Sequence, residues 1–293
     1  MTAKTNIISI LLVTTTVITA SAQVGRVSLR PVFKPGQEYR YLINGSVDTH
    51  VTPTGSNGIA SNVHRETVAT VVIRALVSEK GDLTNEAVIE AITTRTTVDG
   101  VDRPTADASL AGRKIEYQLD SEDKVMKVSL PETVSETGLA QVIFSLGRWA
   151  PPGEVAVGQT WGQGSGGENL AGNFEYISAT PIGEITKRAT IAYKLSSVNG
   201  SKALIEGAIT LNQSGTSLLT TKDARIDVGV IAAGNGRTII EYDVAASRII
   251  AATTETSIEG RLSNTLPKGE GEKLQPREGT LVEKSKSSIK LIQ

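Results

Sequence analysis

Apolar and polar residues alternate along most of the chain, which is the period of a β-strand with one buried face. Tyr39, Tyr41 and Ile43 alternate with charged or polar neighbours. The same spacing recurs in three later runs, residues 69–77, 191–195 and 205–211. Abundant Thr, Val and Ile favour pleated sheet, because their branched side chains are stiff at χ1. The pattern predicts a mainly β protein with antiparallel strands, since the short connections leave no room for helical crossovers.

Short sequences between these runs are typical of tight turns. They are Lys80-Gly81-Asp82, Asp99-Gly100, Asn199-Gly200 and Gly234-Asn235-Gly236. Residues 264–279 combine prolines and glycines with Lys and Glu, and we predict an exposed loop there. Residues 280–293 return to β character. Their lysines predict a C-terminal edge strand, since lysines discourage pairing with other chains.

One segment follows the period of an α-helix instead. The apolar residues Leu139, Val142, Ile143 and Leu146 fall at positions i, i+3, i+4 and i+7. This spacing predicts a helix near residues 132–146 that packs against the sheet. Strand patterns lie on both sides of it, so we interpret it as the connection between two parts of the fold.

Two parts of the chain resemble each other and predict an internal duplication. K-P-G-Q-E-Y from Lys34 resembles A-V-G-Q-T-W from Ala156. In the same order, A-V-I-E-A-I from Ala87 resembles A-L-I-E-G-A-I from Ala203, and G-R…E-Y from Gly112 resembles G-R…E-Y from Gly236. We therefore predict two related antiparallel β units that form a curved sheet or sheets. The first unit covers residues 23–153 and the second covers residues 154–263.

Residues 1–22 have the order of parts found in a secretory signal peptide. Lys4 supplies a positive start, residues 7–18 form a short apolar stretch, and Ala20-Ser21-Ala22 matches the small-x-small cleavage pattern before Gln23. The apolar stretch is shorter than the roughly 20 residues of a membrane-spanning helix. We therefore expect an extracytoplasmic protein, periplasmic or secreted, that is not an integral membrane protein.

Composition argues against several kinds of chemistry. The 293 residues include no cysteine and two histidines, which excludes disulfides, cysteine zinc sites and a thiol nucleophile. We predict no metal and no cofactor. The 30 basic and 31 acidic residues give a net charge of -1, so no overall positive field attracts nucleic acid.

An extracytoplasmic hydrolase is the alternative that the residues leave open. Its nucleophile would be Ser165, within a G-x-G-x-x-G segment, with His50 or His64 as the base. A carboxylate pair, Glu90 and Glu206, would be the other arrangement. Both glutamates occupy charged positions of alternating strands, and both histidines lie in a polar, loop-like stretch. We therefore favour a non-enzymatic protein and assign no catalytic residue.

The few aromatic residues are placed at the starts of predicted strands. Tyr39, Tyr41 and Trp161 occur at corresponding points of the two predicted units. Such residues either fill the core or line a surface for an apolar ligand on the concave side of a curved sheet. We favour the core for Trp161 and name all three as candidate ligand-binding residues. The predicted function is an exported, non-catalytic envelope or secreted protein that binds a lipid, another apolar or amphipathic molecule, or an envelope protein.

The signal peptide, the G-Q-x-aromatic strand starts and the G-R…E-Y strands resemble uncharacterised secreted bacterial β-repeat proteins classed as domains of unknown function. The resemblance spans residues 31–262, and it implies no reaction. A curved sheet wrapped on a helix is also distantly similar to periplasmic lipoprotein carriers, although this chain lacks an anchoring cysteine.

Overall fold

The computed structural model describes residues 25–54, 60–77, 83–103, 110–119, 125–129, 149–162, 174–180, 183–220, 225–266 and 275–292. These residues form thirteen β-strands and no helix. The strands are β1 Glu38–Pro53, β2 Ser61–Val77, β3 Leu83–Val98, β4 Val101–Arg103, β5 Lys114–Leu119, β6 Val125–Ser129, β7 Thr160–Trp161, β8 Phe174–Thr180, β9 Gly183–Asn199, β10 Lys202–Thr220, β11 Arg225–Asp243, β12 Arg248–Leu266 and β13 Gln275–Leu291. The predicted signal peptide and the predicted helix near residues 132–146 lie outside the described residues.

The strands belong to one sheet in which neighbouring strands run antiparallel. Their order is β6-β5-β3-β2-β1-β13-β12-β11-β10-β9-β7, with β4 against β3 and β8 against β9. The prediction of a mainly β, antiparallel protein is therefore confirmed. Strands from before and after the unit boundary predicted between residues 153 and 154 belong to this one sheet. The pairing of β1 with β13 joins them.

The last strand, β13, lies in the middle of this sheet. It pairs with β1 on one side and β12 on the other. The prediction of a C-terminal edge strand is therefore wrong. Lys284, Lys286 and Lys290 are exposed on one face of the strand, and an interior strand with one solvated face accommodates such lysines as well as an edge does. The predicted loop over residues 264–279 is also too long, since strand structure continues to Leu266 and resumes at Gln275.

The two faces of the sheet differ in burial. On β1, Tyr39, Tyr41 and Ile43 are buried, whereas the residues between them are only half-buried. Their neighbours on β2, Val71 and Ile73, are also buried, so both strands present the same face to the core. We call this the inner face and the opposite, more charged face the outer face. The alternation predicted from the sequence is confirmed on these strands.

A segment before β1 covers one end of the inner face. We call residues 25–37 the N-terminal strap. Val27 exchanges two backbone hydrogen bonds with Val155, at 2.9 and 3.0 Å, and the N–H of Val32 donates to the carbonyl of Ser247 at 2.9 Å. Leu29, in the middle of the strap, is fully buried. We call this the strap end of the sheet, where β1 begins and β13 finishes, and the opposite end the distal end.

The similar sequences that begin at Lys34 and Ala156 form turns of the same type. Gly36 and Gly158 have φ angles of +78° and +87°, and in each turn the following glutamine N–H donates to the carbonyl three residues earlier, at 3.1 and 3.0 Å. A positive φ at the third position is the signature of a type II turn. The strands that follow differ, because Tyr39 enters the long interior β1 and Trp161 ends the two-residue β7. The duplication stays a prediction.

The sequence Gly234-Asn235-Gly236 was predicted to be a turn, and this prediction is wrong. It lies inside β11, paired with both β10 and β12. A Cβ atom at Gly234 would lie 2.0 Å from the carbonyl oxygen of Ser257, and one at Gly260 would lie 2.3 Å from that of Ile231. The glycines therefore permit an approach of β11 to β12 that no side chain would allow.

Candidate functional site

The three predicted ligand-binding residues lie in the buried core at the strap end. Tyr39, Tyr41 and Trp161 are 3%, 1% and 8% exposed. The hydroxyl of Tyr39 donates to the side-chain oxygen of Gln37 at 2.9 Å and accepts from the N–H of Lys34 at 3.1 Å. Burial raises the pKa of the Tyr41 phenol, so this group stays neutral.

Trp161 is held from two sides. Its indole N–H donates to the carbonyl of Trp149 at 2.7 Å, and its ring stacks on Tyr193 with centroids 5.9 Å apart. β7 lies beyond β9, so five strands separate Trp161 from Tyr41 on β1. This environment agrees with the core interpretation of Trp161. Its contact with a ligand stays a prediction.

The inner face changes character towards the distal end. Several apolar residues there pack against the core and remain only half-buried; among them are Val51, Val228 and Leu262. By contrast, Ile191, Ile209 and Val230 on the inner faces of β9, β10 and β11 are between 5% and 7% exposed. The half-buried apolar residues of the distal half include members of β1, β11 and β12.

Hydroxyl groups cross the middle of the inner face. Thr67 and Thr94 lie 3.2 Å apart, and Thr256 and Ser285 lie 2.6 Å apart. Thr238 also bonds to Thr254, at 2.8 Å. These groups satisfy one another across neighbouring strands, so the polar atoms do not need water to remain hydrogen-bonded. An apolar molecule could therefore cover this belt at small cost in lost hydrogen bonds.

Sequence reasoning named the aromatic residues and missed the distal half of the inner face. The signal was present, because Val47, Thr49 and Val51 continue the alternation that begins at Tyr39. The aromatic residues were the candidates because each of them buries more surface than a smaller side chain does. For the same reason they fill the core, and smaller Val and Thr residues line the part that stays accessible.

The outer face carries a polar groove of about 590 Å³ across β1, β13, β12 and β11. Within it Glu255 accepts from Lys286 at 2.9 Å and from Arg237 at 2.8 Å. These two cations, Lys286 first, hold the pKa of Glu255 below its ordinary value. The three charges satisfy one another on neighbouring strands, and we assign the groove no ligand.

The residues of the alternative hydrolase do not form a triad in the described part of the chain. The ring nitrogens of His64 lie 2.6 Å from Asp48 and 3.3 Å from Glu66. The hydrogen bond to Asp48 and then that to Glu66 raise the pKa of His64. Both ring nitrogens of His64 therefore contact carboxylates rather than a serine hydroxyl. His50 bonds to Asn62 and Thr52 instead.

The other hydrolase residues are also separated or undescribed. Ser165 lies outside the described residues. Glu90 is on β3 and Glu206 on β10, with five strands between them in the sheet order. Both are exposed, and Glu90 accepts two hydrogen bonds from Arg40 at 2.8 Å. Two carboxylates that act on one glycosidic bond must lie within about 10 Å of each other, and strands so far apart in the order do not arrange them as a pair.

Comparison with known proteins identifies no family. Neither a family model nor a curated protein sequence matches the chain. Among solved structures, the chain is similar to one described as lipid–protein interactions in lipovitellin, with 11% sequence identity and a TM-score of 0.44. The similarity covers 89% of this chain and 26% of that one. The described part of this chain has no helix of sufficient length and hydropathy to span a membrane.

Proposed function

We propose that the protein binds an apolar or amphipathic molecule on the distal half of its inner face. One observation carries the proposal: apolar residues such as Val51 and Leu262 stay half-buried there, although they lie on the face that forms the core. The aromatic residues of the strap end are buried by the protein itself. The distal residues therefore offer the surface that a ligand can cover.

Apolar burial is the main source of binding free energy that this face can offer. Burying one methylene group contributes about 0.8 kcal/mol, so a ligand that buries about ten of them gains about 8 kcal/mol before the cost of association. The hydroxyl belt formed by Thr67, Thr94, Thr256 and Ser285 adds little penalty, because its members already bond to one another. Apolar contact therefore dominates the expected binding energy.

The proposal extends to where the protein acts. An export signal over residues 1–22 would deliver it outside the cytoplasm, where it would act without catalysis on a free ligand or an envelope protein. Intact-mass measurement of protein recovered from the periplasm or the medium tests this. We expect a mature chain that begins at Gln23. Full-length protein retained in the cytosol would show that the export part is wrong.

Ligand binding is tested by isothermal titration calorimetry, in which dodecyl maltoside is titrated into the protein below its critical micelle concentration. We expect Val51→Asp to weaken binding by about tenfold or more, because it places a charge against the apolar chain. Thr52→Asp is the matched control, since Thr52 is exposed on the outer face of the same strand. Val51→Thr, which keeps the shape, is the milder variant if Val51→Asp unfolds.

Two results would refute the binding proposal. One is that the wild-type protein takes up no dodecyl maltoside. The other is that variants at Val51 and Thr52 change the affinity equally. Native mass spectrometry of protein purified from its source complements the titration, because a retained small molecule would identify the chemical class of the natural ligand.

A further inference from the structure

Four asparagines of the chain are followed directly by glycine. Three of these pairs lie in the described residues, namely Asn44-Gly45, Asn199-Gly200 and Asn235-Gly236, and the fourth, Asn57-Gly58, lies outside them. An asparagine before glycine is chemically labile, because glycine has no side chain to keep its backbone nitrogen away from the asparagine side-chain carbonyl. Whether the reaction takes place then depends on the freedom of the backbone.

The backbone, and not exposure, distinguishes the three described pairs. Asn44, Asn199 and Asn235 are all exposed. Asn44 lies in β1, between β2 and β13, and Asn235 lies in β11, between β10 and β12. In a strand with neighbours on both sides, each N–H is hydrogen-bonded to one of them. The sheet therefore holds the nitrogens of Gly45 and Gly236 in an extended backbone.

Asn199 lies instead at the turn that joins β9 to β10. Its pair with Lys202 is the last of the ladder, and Gly200 and Ser201 form the turn. Gly200 has a φ angle of +61° and that of Ser201 is not positive, which is typical of a type II′ turn. The N–H of Gly200 therefore lies outside the ladder.

The space around the two glycines also differs. In the described structure nothing lies within 4 Å of a Cβ atom placed at Gly200. A Cβ atom at Gly236 would lie 2.3 Å from the carbonyl oxygen of Glu255. The turn is anchored nearby, since the N–H of Val244 donates to the carbonyl of Ser201 at 2.7 Å. That bond does not involve the peptide group between Asn199 and Gly200, so this group can rearrange.

We infer that Asn199 is a site of spontaneous deamidation, and that the sheet protects Asn44 and Asn235. The backbone nitrogen of Gly200 attacks Cγ of Asn199 and forms an N–Cγ bond. The Cγ–Nδ2 bond breaks, and Nδ2 leaves as ammonia with the proton of the peptide N–H. Water then opens the resulting succinimide ring at either carbonyl and gives aspartate or isoaspartate. The modification adds a carboxylate to the turn and is independent of ligand binding.

Trypsin separates the reactive site from a matched control. Residues 195–202 and 226–237 each form one tryptic peptide with a single asparagine, Asn199 or Asn235. The full-length protein is incubated at mildly alkaline pH, and both peptides are followed by mass spectrometry. We expect peptide 195–202 to convert about tenfold faster or more, because a paired strand must open before its backbone can react. In Asn199→Gln this peptide should keep its mass, since the longer side chain closes the ring more slowly.

Incubation in guanidinium chloride removes the protection by the sheet. Both peptides contain an Asn-Gly pair, so we expect similar rates of conversion there. Equal conversion of the two peptides in the folded protein would overturn the inference. So would a peptide 195–202 that converts in guanidinium chloride but not in the folded protein. A difference between the peptides that persists in guanidinium chloride would also overturn it, because neighbouring residues rather than the fold would then set the rates.

Discussion

Replacing Trp161 separates its structural role from a role in ligand binding. Trp161→Ala removes a side chain that is 8% exposed and stacks on Tyr193. Truncation of a buried tryptophan to alanine costs about 3–5 kcal/mol, which is a large part of the roughly 5–15 kcal/mol by which proteins of this kind are stable. We expect a correspondingly large fall in the free energy of unfolding.

Trp161→Phe isolates one component of that loss. It keeps an aromatic ring but removes the N–H that donates to the carbonyl of Trp149 at 2.7 Å. Loss of one buried hydrogen bond costs about 0.5–1.5 kcal/mol, so Trp161→Phe should be intermediate between wild type and Trp161→Ala. Val157→Ala is the control, because Val157 belongs to the preceding turn and is 39% exposed, and its effect should stay within about 0.5 kcal/mol.

The assay is equilibrium unfolding in urea followed by circular dichroism, with and without dodecyl maltoside. Circular dichroism is chosen because the variants alter tryptophan fluorescence directly. An unchanged free energy of unfolding in Trp161→Ala, with loss of the stabilisation by dodecyl maltoside, would refute the core interpretation. It would show that Trp161 contacts the ligand.

Two further predictions concern backbone packing and pH. Gly234→Ala should destabilise the protein by about 1–3 kcal/mol or prevent folding, because the added Cβ meets the backbone of Ser257 at 2.0 Å. Gly45→Ala is the control in urea unfolding, since nothing lies within 4 Å of its added Cβ, and equal losses at both sites would contradict the reasoning. Two carboxylates raise the pKa of His64 in the folded state, so its contribution to stability is complete below the unfolded pKa of about 6.5 and is lost as pH rises through the folded pKa. The stability of His64→Gln should therefore vary less with pH across this window, and an unchanged pH profile would show that the ion pairs contribute nothing.

Local sequence chemistry determined the strands and several turns. The alternation of Tyr39, Tyr41 and Ile43 places them in the core because successive side chains of a strand point to opposite faces. Asp99 and Gly100 have φ angles of 51° and 81° and join β3 to β4, as an Asp-Gly pair predicts. These features depend only on residues near one another in the chain, so the sequence reports them directly.

The glycine pair in β11 shows where local reasoning is insufficient. Gly234 and Gly236 have the composition of a turn, but neither has a positive φ, and both lie in a paired strand. Because they have no side chain, they leave the space that β12 occupies; a Cβ atom at Gly234 would collide with the backbone of Ser257. A glycine that serves a neighbouring strand cannot be distinguished by sequence from one that serves a turn, because the neighbour lies more than twenty residues away.

The sequence predicted an apolar surface on one face of the sheet, but it did not predict which residues of that surface remain accessible. An apolar surface on one face of the sheet follows from alternation, but the sequence pointed to Tyr39, Tyr41 and Trp161, which the strap end buries. Which part of an apolar face remains accessible depends on what packs against it. That packing is set by the N-terminal strap, through contacts such as that of Val27 with Val155.

Strand order was decided by tertiary structure alone. The lysines of β13 are compatible with an edge or with the solvated face of an interior strand, and the sheet places β13 between β1 and β12. Alternation fixes the face that each strand buries and carries no information about its partner. Pairing of β1 with β13 places Thr49 beside Glu283, although more than two hundred residues separate them along the chain.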